Sequence, residues 1–264
     1  MTKQSVLWIK SPLSTYTANN EDASNGILIQ GQTILELVPK GHSPKRQYDQ
    51  TFDASQHVLM PGMVNTHHHF YQTLTRACPP ALNKKLFPWL QTLYPIWAQL
   101  KPEQHALATE LAMVELLLSG CTTVSDHHYL FPESLTLGID QQVDVAQRLG
   151  MRATFTRGSM SLGQDQGGLP PQSVVQSEET IMDDSVRLIQ AYHKKDDLIE
   201  IALAPCSPFS VTQDLMKSTA ALAKEYDVNI HTHLAETEDE NDFCLEMFGE
   251  RPLDYLETVG WLDA

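Results

Sequence analysis

The chain has 264 residues, with 18 Lys and Arg against 33 Asp and Glu, for a formal net charge of −15. Such a field repels phosphates, which excludes a protein that holds nucleic acid or an anionic membrane by neutralising its charge. With 42% apolar and 19% charged residues the composition is that of a globular chain, and no apolar run approaches a bilayer-spanning length. Met1 to Ser5 leads into a polar segment without the apolar core of a secretory signal. Cys78, Cys121, Cys206 and Cys244 are widely spaced and form no Cys-x-x-Cys. They read as four reduced thiols of a cytoplasmic protein rather than a disulfide framework.

Taken in chain order, residues 1–56 lack helical periodicity. Val6–Ile9, Gly26–Ile29 and Thr33–Val38 read as short strands separated by Gly, Asn, Asp and Ser. A segment this short cannot bury both faces of a sheet, so it is expected to pack on something else. From residue 57 the rhythm becomes strand then helix. An apolar stretch broken by Pro61-Gly62 leads to His67. Pro102 marks a helix start, Leu107, Leu111, Val114 and Leu118 carry its apolar spacing, and Gly120 stops it. Thr122–Ser125 is a second strand, residues 139–149 a helix closed by Gly150, and Arg152–Thr156 a third strand. Gly163–Pro171 holds too many Gly and Pro for a regular element. A helix through Met182, Val186 and Ile189 then precedes a strand at Ile199–Ala204. Ser210 with Gln213 offers a capping box for the next helix, Val228–Leu234 reads as a fifth strand, and an acidic helix follows. Five strand–helix units in series predict a parallel α/β sheet.

Chemistry concentrates in two histidine pairs. In Asn65-Thr66-His67-His68-His69, strand alternation points His67 and His69 to one face and His68 to the other. Two imidazoles so placed can both reach one metal ion at about 2.0–2.1 Å. His231-Thr232-His233 ends the fifth strand, with Glu236 three residues on. His233 lies at the strand's C-terminal end, where sheet and barrel sites are built. His231, one layer deeper, reads as a hydrogen-bonded core or supporting histidine, and Glu236 as a proton carrier or as one acid of a solvated run. Gln72 could read a heterocycle edge and Trp89 could wall a pocket. His127 and His128 sit at a strand end where function is as probable as packing. Arg157 could hold a substrate oxygen or pair with an acid. The His-x-Glu with Pro-Cys-x-x-Cys of cytidine-deaminase zinc sites is absent, as are phosphate-loop and dinucleotide glycine motifs.

The segments Val64-Asn-Thr-His-His-His-Phe70 and Ile230-His-Thr-His-Leu-Ala-Glu-Thr237 resemble the cyclic-amidine deaminase branch of the amidohydrolase superfamily. Thr122–Pro132, Ala204–Ser210 and Gln166–Pro171 are similar in particular to 8-oxoguanine-type deaminases, with hydroxydechloroatrazine ethylaminohydrolases as near relatives. The resemblance implies a TIM-like (β/α)8 barrel, of which residues 57–264 would supply strands 1–5, and a small β-sandwich to which residues 1–56 contribute. It also implies one divalent metal, zinc or alternatively iron, ligated by His67, His69 and His233, with Glu236 as the proton shuttle. Gln72, Trp89, His128 and Arg157 are the candidate substrate contacts. The implied partner is a small heterocycle, without nucleic acid or membrane, and a homo-oligomer is compatible with this reading. The implied reaction is hydrolytic deamination of a guanine-like base. The alternatives are hydrolysis of a hydroxy-s-triazine substituent, or a non-catalytic metal-binding fragment. The family's strand-6 histidine and strand-8 aspartate have no counterpart before Ala264, so the chain reads as truncated and, alone, as inactive.

Overall fold

The glycine at position 26 shows how tightly the N-terminal strands are drawn together. Its φ is +109°, and a Cβ there would meet the Ile9 carbonyl oxygen at 1.8 Å, so only glycine fits. The computed structural model describes residues 4–194 and 197–262. The outer limits of the two expected domains, Met1 and Ala264, lie outside them. The chain forms two compact units, Met1–Gly62 and Met63–Ala264.

The first unit is built on β1 (Val6–Lys10), β2 (Ser14–Thr15), β3 (Gly26–Gln30), β4 (Thr33–Leu37), β5 (Gln50–Asp53) and β6 (Val58–Leu59). One sheet has the order β4-β3-β1-β5, with β1 antiparallel to β3 and parallel to β5. A second, small sheet pairs β2 with β6. Val6, Leu28 and Val38, on and beside the four-stranded sheet, form a buried cluster, with Trp8 and Leu35 against them. The strands at Val6, Gly26 and Thr33 match the apolar runs in the sequence. β5 was not legible, because all four of its residues are exposed and no alternation marks it.

The second unit carries a parallel sheet of order β10-β9-β8-β7. Its strands are β7 (Met63–His68), β8 (Cys121–Asp126), β9 (Arg152–Ser159) and β10 (Ile199–Pro205). The helices are α1 (Leu86–Trp97), α2 (Pro102–Leu118), α3 (Gly138–Leu149), α4 (Glu178–Tyr192), α5 (Gln213–Tyr226), α6 (Glu238–Phe248) and α7 (Pro252–Thr258). Phe70, Met113, Val124, Val143, Phe155, Leu188 and Ile201 fill the core between strands and helices.

Four expectations need correction. Val228–Leu234 runs parallel to β10 but forms a single bridge, Leu203 with Ile230, rather than a strand. The N–H of Leu203 donates to Asn229 O and that of His231 to Leu203 O. The next rung would need an N–H from residue 205, which is proline. The Thr232 hydroxyl takes the Pro205 carbonyl instead, at 2.8 Å. Second, the cap of α5 is Thr212, whose hydroxyl accepts from Leu215 N, and not Ser210. Third, the stripe expected to be the inner face of α2, Leu107, Leu111, Val114 and Leu118, faces outward. Leu107 and Leu118 are 59% and 84% exposed, while His105, Ala108, Ala112 and Met113 are buried. Fourth, α1 and α7 were not anticipated, since Pro95 interrupts the first and the second is a short helix opening on Pro252.

Arg157 is completely buried and is held by Asp184 at 2.6 Å, by Gln176 at 2.9 Å and over the Phe131 ring at 3.8 Å. Asp184 also binds Arg187, which reaches Asp140, tying α3, α4 and β9 into one ionic chain. Removing one partner strands a buried charge. Asp184→Ala is therefore expected to cost about 3–5 kcal/mol. Breaking the exposed Arg148–Glu110 pair with Arg148→Ala should cost less than about 1 kcal/mol. Urea midpoints of the two variants test the difference, and equal shifts would contradict it.

Candidate metal centre

β7 delivers its histidines by alternation. His67 and His69 turn to one side, and His68 packs on Phe70 at 5.1 Å on the other. Immediately after His69 the chain enters a short turn of helix at Phe70–Thr75. The Phe70 N–H donates to buried Asp126 at 2.7 Å, and Gln142 donates to the other oxygen of the same carboxylate at 2.6 Å. Burial pushes the Asp126 carboxyl up to about 7. The end of β7 is thereby tied to the end of β8. The segment after α5, which runs beside β10, brings in the second pair, with His233 N–H donating to Cys206 O at 3.1 Å.

Each ring is oriented through its Nδ1. His69 Nδ1 donates to the His127 carbonyl at 2.7 Å and His233 Nδ1 to the Cys206 carbonyl at 2.7 Å. In the neutral ring this leaves Nε2 with an exposed lone pair. The Nε2 atoms of His67 and His69 are 3.1 Å apart, as are those of His233 and His69. With His67 Nε2 turned to the cluster, its Nδ1–H donates to His231 Nε2 at 2.8 Å.

Lone pairs facing one another at that distance repel unless a cation stands among them. Protons do not supply it. Burial holds the pKa of His69 well below its ordinary value, lowers that of His67, and lowers that of His233 to about 4. Tetrahedral metal–nitrogen bonds of about 2.0–2.1 Å would place ligand nitrogens roughly 3.3 Å apart. The donor set, its tautomers and its spacing therefore fit a divalent metal. His67, His69, His127 and His233 present ligand atoms that all lie within 4.8 Å of one another.

Beside the cluster lies a cavity of about 320 Å³, lined by His67, His69, His233, Gln72, Trp89, Tyr129, Phe209 and Glu236 among others. Burial, and then the neighbouring Glu240 charge, raise the Glu236 carboxyl above its ordinary pKa. Gln72 donates to the hydroxyls of Tyr71 and Tyr129 at 3.3 and 3.4 Å.

The structure does not bring His128 or Arg157 to this cavity. Val124 packs in the core, so Asp126 and His128, at even spacing from it, also face the helix layer. His128 is fully buried against His105 and Phe131, at 4.7 and 4.8 Å. Arg157 is used up by its ion pair. His127, which the sequence left with His128 between function and packing, stacks on His233 at 4.4 Å, and Tyr129, which it did not single out, lines the cavity. Strand alternation counted from Val124 would have separated His127 from His128.

An amidohydrolase family model matches residues 58–264. The chain belongs to the amidohydrolase family. It is 58% identical over 257 residues to an 8-oxoguanine deaminase of Pseudomonas aeruginosa, covering 97% of this chain and 57% of that protein. It is 32% identical over 207 residues to a hydroxydechloroatrazine ethylaminohydrolase of Pseudomonas sp. strain ADP, covering 76% of this chain and 43% of that one. The atrazine chlorohydrolase of Arthrobacter aurescens TC1, solved in complex with zinc, superposes with a TM-score of 0.87 at 28% identity, over 97% of this chain and 58% of that chain. The chain thus spans about half the length of the relatives it matches. Among the described residues, no helix of this amidohydrolase is long and apolar enough to cross a membrane.

The histidines give the metal-free protein a defined acid sensitivity. Burial lowers His105, His231 and His233 to about 4 from an ordinary 6.5. Between those values the unfolded chain binds protons that the folded chain refuses. Their stabilising contribution is thus complete above about pH 6.5 and is lost as pH falls toward 4. Urea midpoints in chelator should decline across that window, and His105→Phe should flatten part of the decline. A midpoint that rises on acidification would refute the assignment.

Proposed function

We propose that His67, His69 and His233 ligate one zinc ion and that Glu236 moves protons, in hydrolytic deamination of a guanine-like heterocycle such as 8-oxoguanine. The observation that carries this reading is the set of three neutral imidazoles whose Nε2 atoms converge beside the cavity that Glu236 lines. A bound zinc would supply Lewis-acid activation of water and of the amidine carbon. Glu236, with its raised pKa, is suited to carry a proton to a ring nitrogen and then to the leaving amine. Gln72 spends both donor contacts on Tyr71 and Tyr129, which leaves its oxygen to accept from a heterocycle N–H. Trp89 and Phe209 exclude water from the sides of a planar ring. The 58% identity to an 8-oxoguanine deaminase favours a purine over a triazine substrate. Residues 1–56 would contribute to a β-sandwich and residues 57–264 to the hydrolase barrel. Four free cysteines suit a cytoplasmic setting.

Zinc content of the purified chain tests the ligand set. His67→Ala should lose the metal and His68→Ala should keep it, and equal loss in both would contradict the alternation. Glu236→Gln should keep the metal. Activity is measured as ammonia or ethylamine release from 8-oxoguanine, guanine and hydroxyatrazine. The assays use this chain and a chimera that adds the part of the Pseudomonas aeruginosa relative that this chain does not cover. Glu236→Gln in the chimera should lower ammonia release from 8-oxoguanine by at least about 100-fold. Amine release from the triazine, with none from the purines, would overturn the purine reading.

A further inference from the structure

Glu240 belongs to an acidic run, Glu236, Glu238, Asp239 and Glu240, that in the sequence reads as a solvated helix start. The structure separates its members. Glu240 has no exposed surface at all. Both of its carboxylate oxygens face back out of α6, one accepting from Ala235 N–H at 2.9 Å and the other from Glu236 N–H at 2.8 Å. Ala235 lies at φ +55°, a left-handed conformation that a residue with a Cβ rarely adopts. Something must hold it there. Thr237, the residue preceding α6, makes no side-chain cap, so Glu240 is the group that satisfies the backbone ahead of the helix.

Resting on the reading of Glu236 as the proton-transfer group, we infer that Glu240 is its positioning residue. Its buried carboxylate clamps two successive N–H groups and thereby maintains the left-handed turn that directs Glu236 into the cavity. The geometry divides the work between two acids four residues apart. Glu236 lines the cavity and Glu240 turns to the backbone, because the chain bends at Ala235 between His233 and α6. A carboxylate is suited to this role for two reasons. It offers two acceptors to two donors, and its charge lies at the N-terminal end of α6, where the helix dipole favours it. Its charge also contributes to the raised proton affinity of Glu236. No histidine of the metal cluster is among its hydrogen-bond partners, so the clamp and the metal are separable.

The test is residue-resolved amide hydrogen exchange on the zinc-loaded chain. In Glu240→Ala, the amides of Ala235 and Glu236 should exchange roughly 100-fold faster, while those of α5 keep their wild-type rates. Glu240→Gln retains one acceptor oxygen and should keep one of the two amides protected, a partial rescue that a general loss of stability would not produce. Zinc content should be unchanged in both variants. Wild-type protection at Ala235 and Glu236 in Glu240→Ala would overturn the inference. So would acceleration spread evenly over α5 and α6, or loss of zinc. The outcome is independent of ammonia release. If the clamp is found but no deamination, the proposed activity falls while the role of Glu240 in the turn stands.

Discussion

Everything in the second unit converges on a single electrostatic constraint, the confrontation of three imidazole lone pairs at 3.1 Å spacings. Left to themselves, these rings would rotate apart or pick up protons. They do neither, because their opposite nitrogens are committed elsewhere, two to backbone carbonyls and one to His231. Backbone carbonyls at the ends of β8 and β10 are fixed by the parallel sheet, so the sheet itself sets the tautomers. Three nitrogens so held, with their lone pairs turned inward, make a donor set that fits a divalent cation.

The surroundings of the cluster serve the same end by different means. Asp126 ties the residue after His69 to α3 through Gln142. The Arg157–Asp184–Arg187–Asp140 chain joins α3 and α4 to β9 behind it. Both place a charged or chargeable group in the interior, where it must be fully bonded to be tolerated. Such networks rigidify the helix layer so that the strand ends do not drift. The cavity side, by contrast, is walled by aromatic rings around a few polar atoms, a lining that suits a flat heterocycle.

Much of this was legible in the sequence. The two His-x-His pairs, the glycine stops after helices and the order of strand and helix units follow from local rules, with periods of 2.0 and 3.6 residues. Alternation alone separated His67 and His69 from His68, and spacing alone set Glu236 beyond His233. Other features were illegible for definite reasons. The outward apolar side of α2 looks like a core face in any local pattern. The run 228–234 has strand composition but meets a proline on the neighbouring strand, a fact that no single-segment reading contains.

Sequence by itself determined the candidate metal-ligand types, the faces of His67, His68 and His69 on β7, and the family these motifs resemble. Alternation puts His127 and His128 on opposite faces of the chain, but only the tertiary structure decided that the face of His127 meets the histidine cluster and that of His128 the helix layer. The same holds for Arg157, since its acid partner on α4 is distant in the chain, and for Glu240. In the sequence, Glu240 is one of several neighbouring acids. Its carboxylate becomes distinct only where the turn at Ala235 folds two N–H groups against it and burial removes the water that would otherwise compete for them.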